Sequence, residues 1–196
     1  AIVAAGGLIA GAIYFGAPPV PNTAGQANVN AAGAVADVAK VTEKDHIRGS
    51  IDAPVIVVEY SDTECPYCKV FHNSMKEIYS SYGGKVAWVY RHFPIPQLHS
   101  RATKEAEATE CAFELGGNEV FWKYLDEIFT RTNSNDSLDP AELPKIALAV
   151  GINQNAFNEC LSSGRYTTLV TQSAEEAVKA GARGTPYSVL VLKQAL

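Results

Sequence analysis

The chain has 196 residues, 47% of them hydrophobic and 19% charged, with a formal net charge of −5. That is enough apolar material for one ordinary core plus a tail, and a mildly acidic chain with no basic stripe argues against a nucleic-acid backbone as partner. The four cysteines divide into a close pair, Cys65 and Cys68, and two isolated residues, Cys111 and Cys160.

The chain opens on AIVAAGGLIAGAIYFG, an apolar run without a charge. As a helix it would span roughly 24 Å, a little short of a hydrocarbon core of about 30 Å. No Met and no basic segment precede it, so the natural start is expected upstream, where a few more apolar residues would complete a membrane span. The alternatives are the core of a cleaved signal peptide, or a buried helix. The lack of a clear small-x-small cleavage site favours an anchor over 1–16. Residues 17–40, rich in Pro, Asn, Gly and Ala, read as a flexible linker, and the folded domain is expected over 41–196.

PVIVVEY (Pro54 to Tyr60) is a short β-branched run, the pattern of a strand covered on both faces. Cys65-Pro66-Tyr67-Cys68 follows at once. Phe71, Met75, Ile78 and Tyr82 then recur at helical spacing until Gly83-Gly84. Lys85 to Arg91 reads as a second strand. Helices follow over Ser100 to Leu115, from an Asn118 cap, from Asp139 with Pro140 at the first position, from Asn153, and over about Thr167 to Ala180. Tyr187 to Leu192 is a strand again, entered through Gly184-Thr185-Pro186. The expectation is an α/β fold: a mixed sheet interrupted by a helical insertion over about 98–181.

A CxxC pair is either half a zinc site or a redox dithiol. Structural zinc takes four ligands, usually from two knuckles. Cys111 and Cys160 stand alone, and His46, His72, His92 and His99 show no ligand spacing, so neither metal nor cofactor is expected; each histidine reads more simply as a surface or packed residue. The redox reading has a physical basis. Cys65 falls at a helix N-terminus with Pro66 at the first helical position, where unpaired N–H groups and the helix dipole favour a thiolate. A free thiol of pKa about 8.5 is only a few per cent ionised at pH 7, whereas such motifs bring it to roughly 3.5–7. Cys68, one turn in, is expected to be covered.

IDAPVIVVEYSDTECPYCKVF resembles the active-site region of the DsbA-like branch of the thioredoxin superfamily. GTPYSVLV is similar to its cis-proline loop and following strand, and RHFPIPQLHSRATKEAEATECAF with EVFWKYLDEIF resembles its helical insertion. The resemblance covers roughly residues 45–192. It implies a thioredoxin fold and a protein-disulfide oxidoreductase, with Cys65 as nucleophile, Cys68 as buried partner, and Pro186 as a cis-proline facing them. Thr185 would offer its backbone to an extended substrate. Glu59 would be a buried acid whose pKa is raised and which relays a proton to Cys68. It also implies an extracytoplasmic dithiol oxidase acting on thiols of exported proteins and reoxidised by a quinone-linked membrane partner, and a further edge strand and helix beyond Leu196. One departure stands out: the DsbA archetype carries His where this chain has Tyr67, and tyrosine supplies no positive charge. Cys-Pro-Tyr-Cys is also the glutaredoxin motif, but glutaredoxins lack a helical insertion. A reductase or isomerase on the same fold, or a tethered binding or chaperone module with an inert disulfide, are the alternatives. In an oxidising compartment Cys111 and Cys160 would pair as a structural disulfide; otherwise they are two buried thiols packed as small hydrophobes.

Overall fold

The structure is a computed structural model that describes residues 37–193. The expected anchor over 1–16 and most of the linker lie outside the described residues. Among those described, no helix is long and apolar enough to cross a membrane.

Four strands form one sheet in the order β1-β3-β2-β4: β1 His46–Arg48, β2 Val55–Ser61, β3 Val86–His92 and β4 Tyr187–Leu192. β2 and β3 run parallel, while β1 and β4 are antiparallel to their neighbours. Parallel strands need a crossover, and α1, Pro66–Tyr82, supplies it. The residues of β2 and β3 are buried almost throughout, because helices cover both faces of the sheet. Val57, Trp88 and Tyr90 pack with Met75 of α1 and with Phe121, Leu125 and Phe129 of α2, Ala102–Arg131. Ile56, Val58, Tyr60 and Val89 face the other way, onto Ala177 of α5, Thr167–Lys179.

The insertion has its own core. Tyr124 and Ile128 of α2 meet Ile146 of α3, Leu143–Ala149, and Phe157 of α4, Gln154–Ser163. A disulfide joins Cys111 of α2 to Cys160 of α4, with Cα atoms 5.8 Å apart. Asn153 caps α4 as its side-chain oxygen accepts from Asn155 and Ala156 N–H. Asp139 caps a 3₁₀ turn, Pro140–Glu142, rather than α3 itself.

The two helices expected across residues 100–131 are present within α2, separated by a kink at Gly117, whose φ of 73° and ψ of −172° favour glycine. Two details differ from the sequence reading. Asn118 does not cap the second half. Its amide instead pairs with the backbone of Ile47, accepting at 3.1 Å and donating at 2.7 Å, which fastens the edge strand β1. The end of the expected linker is part of the folded unit, since Val38 packs on the core and Ala39 accepts a hydrogen bond from Arg91.

Candidate active site

Residues 61–68 carry the chain from the buried end of β2 into α1. The Asp62 carbonyl accepts the Cys65 N–H at 3.2 Å, which closes the turn. Cys65 itself is the N-cap, extended at φ −76° and ψ 123°, with Pro66 at the first helical position. Both thiols are free; Cys65 is 5% exposed and Cys68 not at all. The flanking Tyr67 is 73% exposed, so the rim of the motif is open while its sulfurs are recessed.

The two sulfurs differ in acidity. A hydrogen bond from Cys68 brings the Cys65 thiol down to about 5 against the opposing effect of burial, helped by Thr185 and by the backbone N–H groups of Cys68 and Tyr67. Burial pushes the Cys68 thiol far up, and its contact with Cys65 pushes it further. Cys68 Sγ accepts the Asp62 N–H at 3.4 Å. On the opposite side Cys65 Sγ lies 3.4 Å from the Thr185 carbonyl oxygen, and the Thr185–Pro186 peptide is cis. The structure thus brings Cys65, Cys68, Thr185 and Pro186 together, although the last two follow the whole insertion in sequence.

Glu59 sits on β2 in register with Tyr90 of β3 and Ser188 of β4. It is fully buried, and Oε2 accepts the Trp88 indole N–H at 2.8 Å. Burial raises its pKa to about 7, against the lowering effects of Ser61 and Trp88. Oε1 has no partner. Ser61 acts on both ends of the expected relay, lowering the pKa of Glu59 and of Cys68 alike, while its hydroxyl has no partner of full hydrogen-bond geometry. Ser61 thus adjoins both the acid and the buried thiol, and a lone serine at a strand end gives no sequence signal.

Two further groups adjoin the motif. Glu105 of α2 is pushed up to about 9 by burial, opposed by Thr63 and reinforced by the neighbouring Glu64. Asp62 accepts a hydrogen bond from His99, whose place next to the site was not foreseen.

A histidine cluster that sequence spacing did not suggest lies elsewhere. Nε2 of His46 and Nε2 of His92 each lie 2.7 Å from the same oxygen, Oε1 of Glu110, on the wall of a cavity of about 880 Å³. The donor set fits a hydrogen-bonded triad. A metal on either Nε2 would move the ring proton to Nδ1, and neither buried Nδ1 has an acceptor.

A sheet flanked by helices, with a dithiol at a helix N-terminus facing a cis-proline loop, defines a thioredoxin-type protein. A sequence model described as thioredoxin matches residues 41–191, and the chain belongs to that family. Its structural neighbours are DsbA-like thiol–disulfide oxidoreductases. DsbA2 of Pseudomonas aeruginosa superposes with a TM-score of 0.66 at 27% identity, covering 77% of this chain and 82% of that one. For α-DsbA1 of Wolbachia pipientis the values are 0.64 and 26%, covering 80% of each chain. BdbD of Bacillus subtilis shares the fold at 0.67 and 22% identity, over 74% of this chain and 80% of its own. Among curated proteins the chain is similar to Na(+)/H(+) antiporter NhaA 1 of Mycolicibacterium vanbaalenii, 33% identical over 146 residues, which are 74% of this chain and 23% of that protein. Na(+)/H(+) antiporter NhaA 3 of Salinispora tropica is 35% identical over 144 residues, 74% of this chain and 21% of the other. The chain thus spans about a fifth to a quarter of these relatives.

Proposed function

We propose that the chain is a dithiol oxidase that passes the Cys65–Cys68 disulfide to thiols of exported proteins. The observation that carries this reading is the split acidity of the pair, with Cys65 at about 5 and Cys68 far above the ordinary thiol. A stabilised Cys65 thiolate favours the reduced form and so makes the disulfide a better oxidant. A substrate thiolate attacks Cys65 Sγ, the Cys65–Cys68 bond breaks, and Cys68 leaves with the electron pair. Glu59, protonated in part near neutral pH, returns a proton to Cys68 by way of Ser61. A second substrate thiolate then attacks the substrate sulfur of the mixed disulfide and releases Cys65 as a thiolate. The balance is one enzyme disulfide and two substrate thiols consumed, one substrate disulfide and one reduced enzyme formed. Thr185 and Pro186, beside Cys65 Sγ, are the proposed docking edge for an extended substrate segment. Reoxidation by a quinone-linked membrane partner completes the cycle in this reading.

Location follows from the same chemistry. The Cys111–Cys160 disulfide suits an oxidising compartment, so the proposed site of action is outside the cytoplasm. A membrane tether through residues 1–16 is consistent with the apolar run there, and with relatives that are by name Na(+)/H(+) antiporters.

A Cys68→Ala variant tests the reading. It should accumulate mixed disulfides through Cys65, released by reductant; an inert structural pair would accumulate none. The reduction potential then separates the enzymes: a value above that of thioredoxin, about −270 mV, fits an oxidase, and one below it a reductase.

A further inference from the structure

The turn that leads from β3 into the insertion is folded over Asp62. Oδ2 of Asp62 takes the Ile95 N–H at 2.8 Å and Nδ1 of His99 at 3.0 Å, and Oδ1 takes the Glu64 N–H at 2.8 Å. Asp62 is 1% and His99 6% exposed, so this contact is shielded from bulk water. The backbone of the same Asp62 touches both halves of the redox pair, accepting from Cys65 N–H and donating to Cys68 Sγ. His99 is therefore one residue removed from each sulfur, although it belongs to a different segment of the chain.

We propose that His99 is a positioning residue that couples proton uptake to the redox state of Cys65 and Cys68. Reduction by a dithiol breaks the S–S bond with two electrons, leaves a thiolate on Cys65 and a proton on Cys68, and adds a negative charge near His99. His99 then holds its own proton more tightly, and releases it when the disulfide reforms. Linkage makes the effect mutual: a protonated His99 favours the Cys65 thiolate by the same free energy.

The surrounding charges leave the thiolate as the variable term. Burial lowers the His99 pKa, but the hydrogen bond and charge of Asp62 hold it above the usual value, with Cys65 and Asp136 adding to the rise. Asp136, from the loop after α2, is held low overall by the N–H groups of Arg101 and Ser100 against its own desolvation, and keeps its charge in both redox states. Glu64 accepts from Thr132 Oγ1 and from the Ser137 and Leu138 N–H groups, and Glu105 is pushed up to about 9 by burial.

The inference rests on Cys65 and Cys68 being a redox pair. Failure of that reading would show as absent mixed disulfides, whereas failure of this one shows in the titration of His99. The direct measurement is the NMR midpoint of the His99 ring in oxidised and reduced wild-type protein, with Cys65→Ser under reductant as control. We expect the midpoint to be higher in the reduced protein by about half a pH unit or more, as a unit charge several ångströms away in a medium of intermediate dielectric implies. The difference should vanish in Cys65→Ser. Equal midpoints in the two redox states would overturn the proposal. In His99→Gln the Cys65 alkylation inflection should move up by a similar amount; an unmoved inflection in a folded variant would overturn it as well.

Discussion

Glu59 and Trp88 are joined across β2 and β3 by one hydrogen bond of 2.8 Å, from the indole N–H to a carboxyl that is fully buried. One neutral donor does not offset the loss of water around a carboxylate, which is why burial dominates and the pKa rises from 4.5 to about 7. A raised acid contributes its full stability below its unfolded pKa and loses it as pH climbs through the folded one. Glu59→Gln carries no such loss. We expect the oxidised variant to match wild type near pH 4 and to exceed it by about 3 kcal/mol at pH 8, an order-of-magnitude figure from that shift. Its turnover with a thiol substrate should fall, because the amide cannot deliver a proton to Cys68. Urea unfolding at the two pH values checks the first claim, and stopped-flow oxidation the second. Equal stabilities at pH 8 would mean that the carboxyl is solvated.

Alkylation of reduced wild-type protein should inflect near 5 at Cys65. Thr185→Val removes a hydroxyl that favours the thiolate, so the inflection should move up while Cys68 stays unreactive. Because the folded-state pKa of Cys65 is depressed from 9.0, the stability it adds to the reduced protein is present above 9 and is lost as pH falls through about 5. The stability of the reduced protein relative to the oxidised one should therefore grow between pH 5 and 9. A flat difference would place the thiolate stabilisation elsewhere.

Cys111 and Cys160, 49 positions apart, tie α2 to α4 inside the core of the insertion. By the chain-entropy account, closing a loop of that length constrains the unfolded chain by about 4 kcal/mol. The double variant Cys111→Ala, Cys160→Ala should lose stability of that order. The redox sulfurs belong to a different cluster, packed on the sheet. Mixed-disulfide trapping through Cys65 should therefore survive in the double variant under conditions where it remains folded. Thermal unfolding with and without reductant is the check, and a Tm indifferent to the bond would show that the insertion is held by packing alone.

The parts legible from sequence are those whose signal is local. The β-branched run of β2, the Pro66 start of α1, the Gly83 stop and the Asn153 cap each declare themselves within a few residues. β1 does not, since three residues, His46–Arg48, carry no periodicity and are defined by pairing with β3 and by the Asn118 amide. At the site, Cys65 and Cys68 are visible as a motif, and Glu59 stands out as a charge within an apolar run. Ser61, Asp62 and His99 are not visible, because a polar residue in a turn looks solvent-facing until another segment folds over it. The same reason hides Glu110, a glutamate on an otherwise ordinary helix that becomes the shared acceptor for two histidines brought in by separate strands.

That triad yields the last prediction. Glu110 is 3% exposed, and its pKa is governed first by burial, which raises it, and then by His46 and His92, whose hydrogen bonds and charge overcome burial and set it below the usual carboxylate range. A depressed acid contributes stability above its unfolded pKa, here 4.5, and loses it as pH falls below that value. Glu110→Ala leaves two buried Nε2–H groups without an acceptor and opens a gap where α2 meets β1 and β3. Breaking a buried polar network by removing one partner costs about 3–5 kcal/mol. We expect a loss of that size at pH 7, shrinking as pH is lowered through 4 toward 3. Glu110→Gln keeps the shape and one acceptor oxygen, so it should lose less and show a flatter pH dependence. Denaturant midpoints for the three proteins between pH 3 and 8 decide the matter. A Glu110→Ala deficit that does not change with pH would mean that the carboxyl has the same pKa in the folded and unfolded chain and that the triad is held by shape, not by charge.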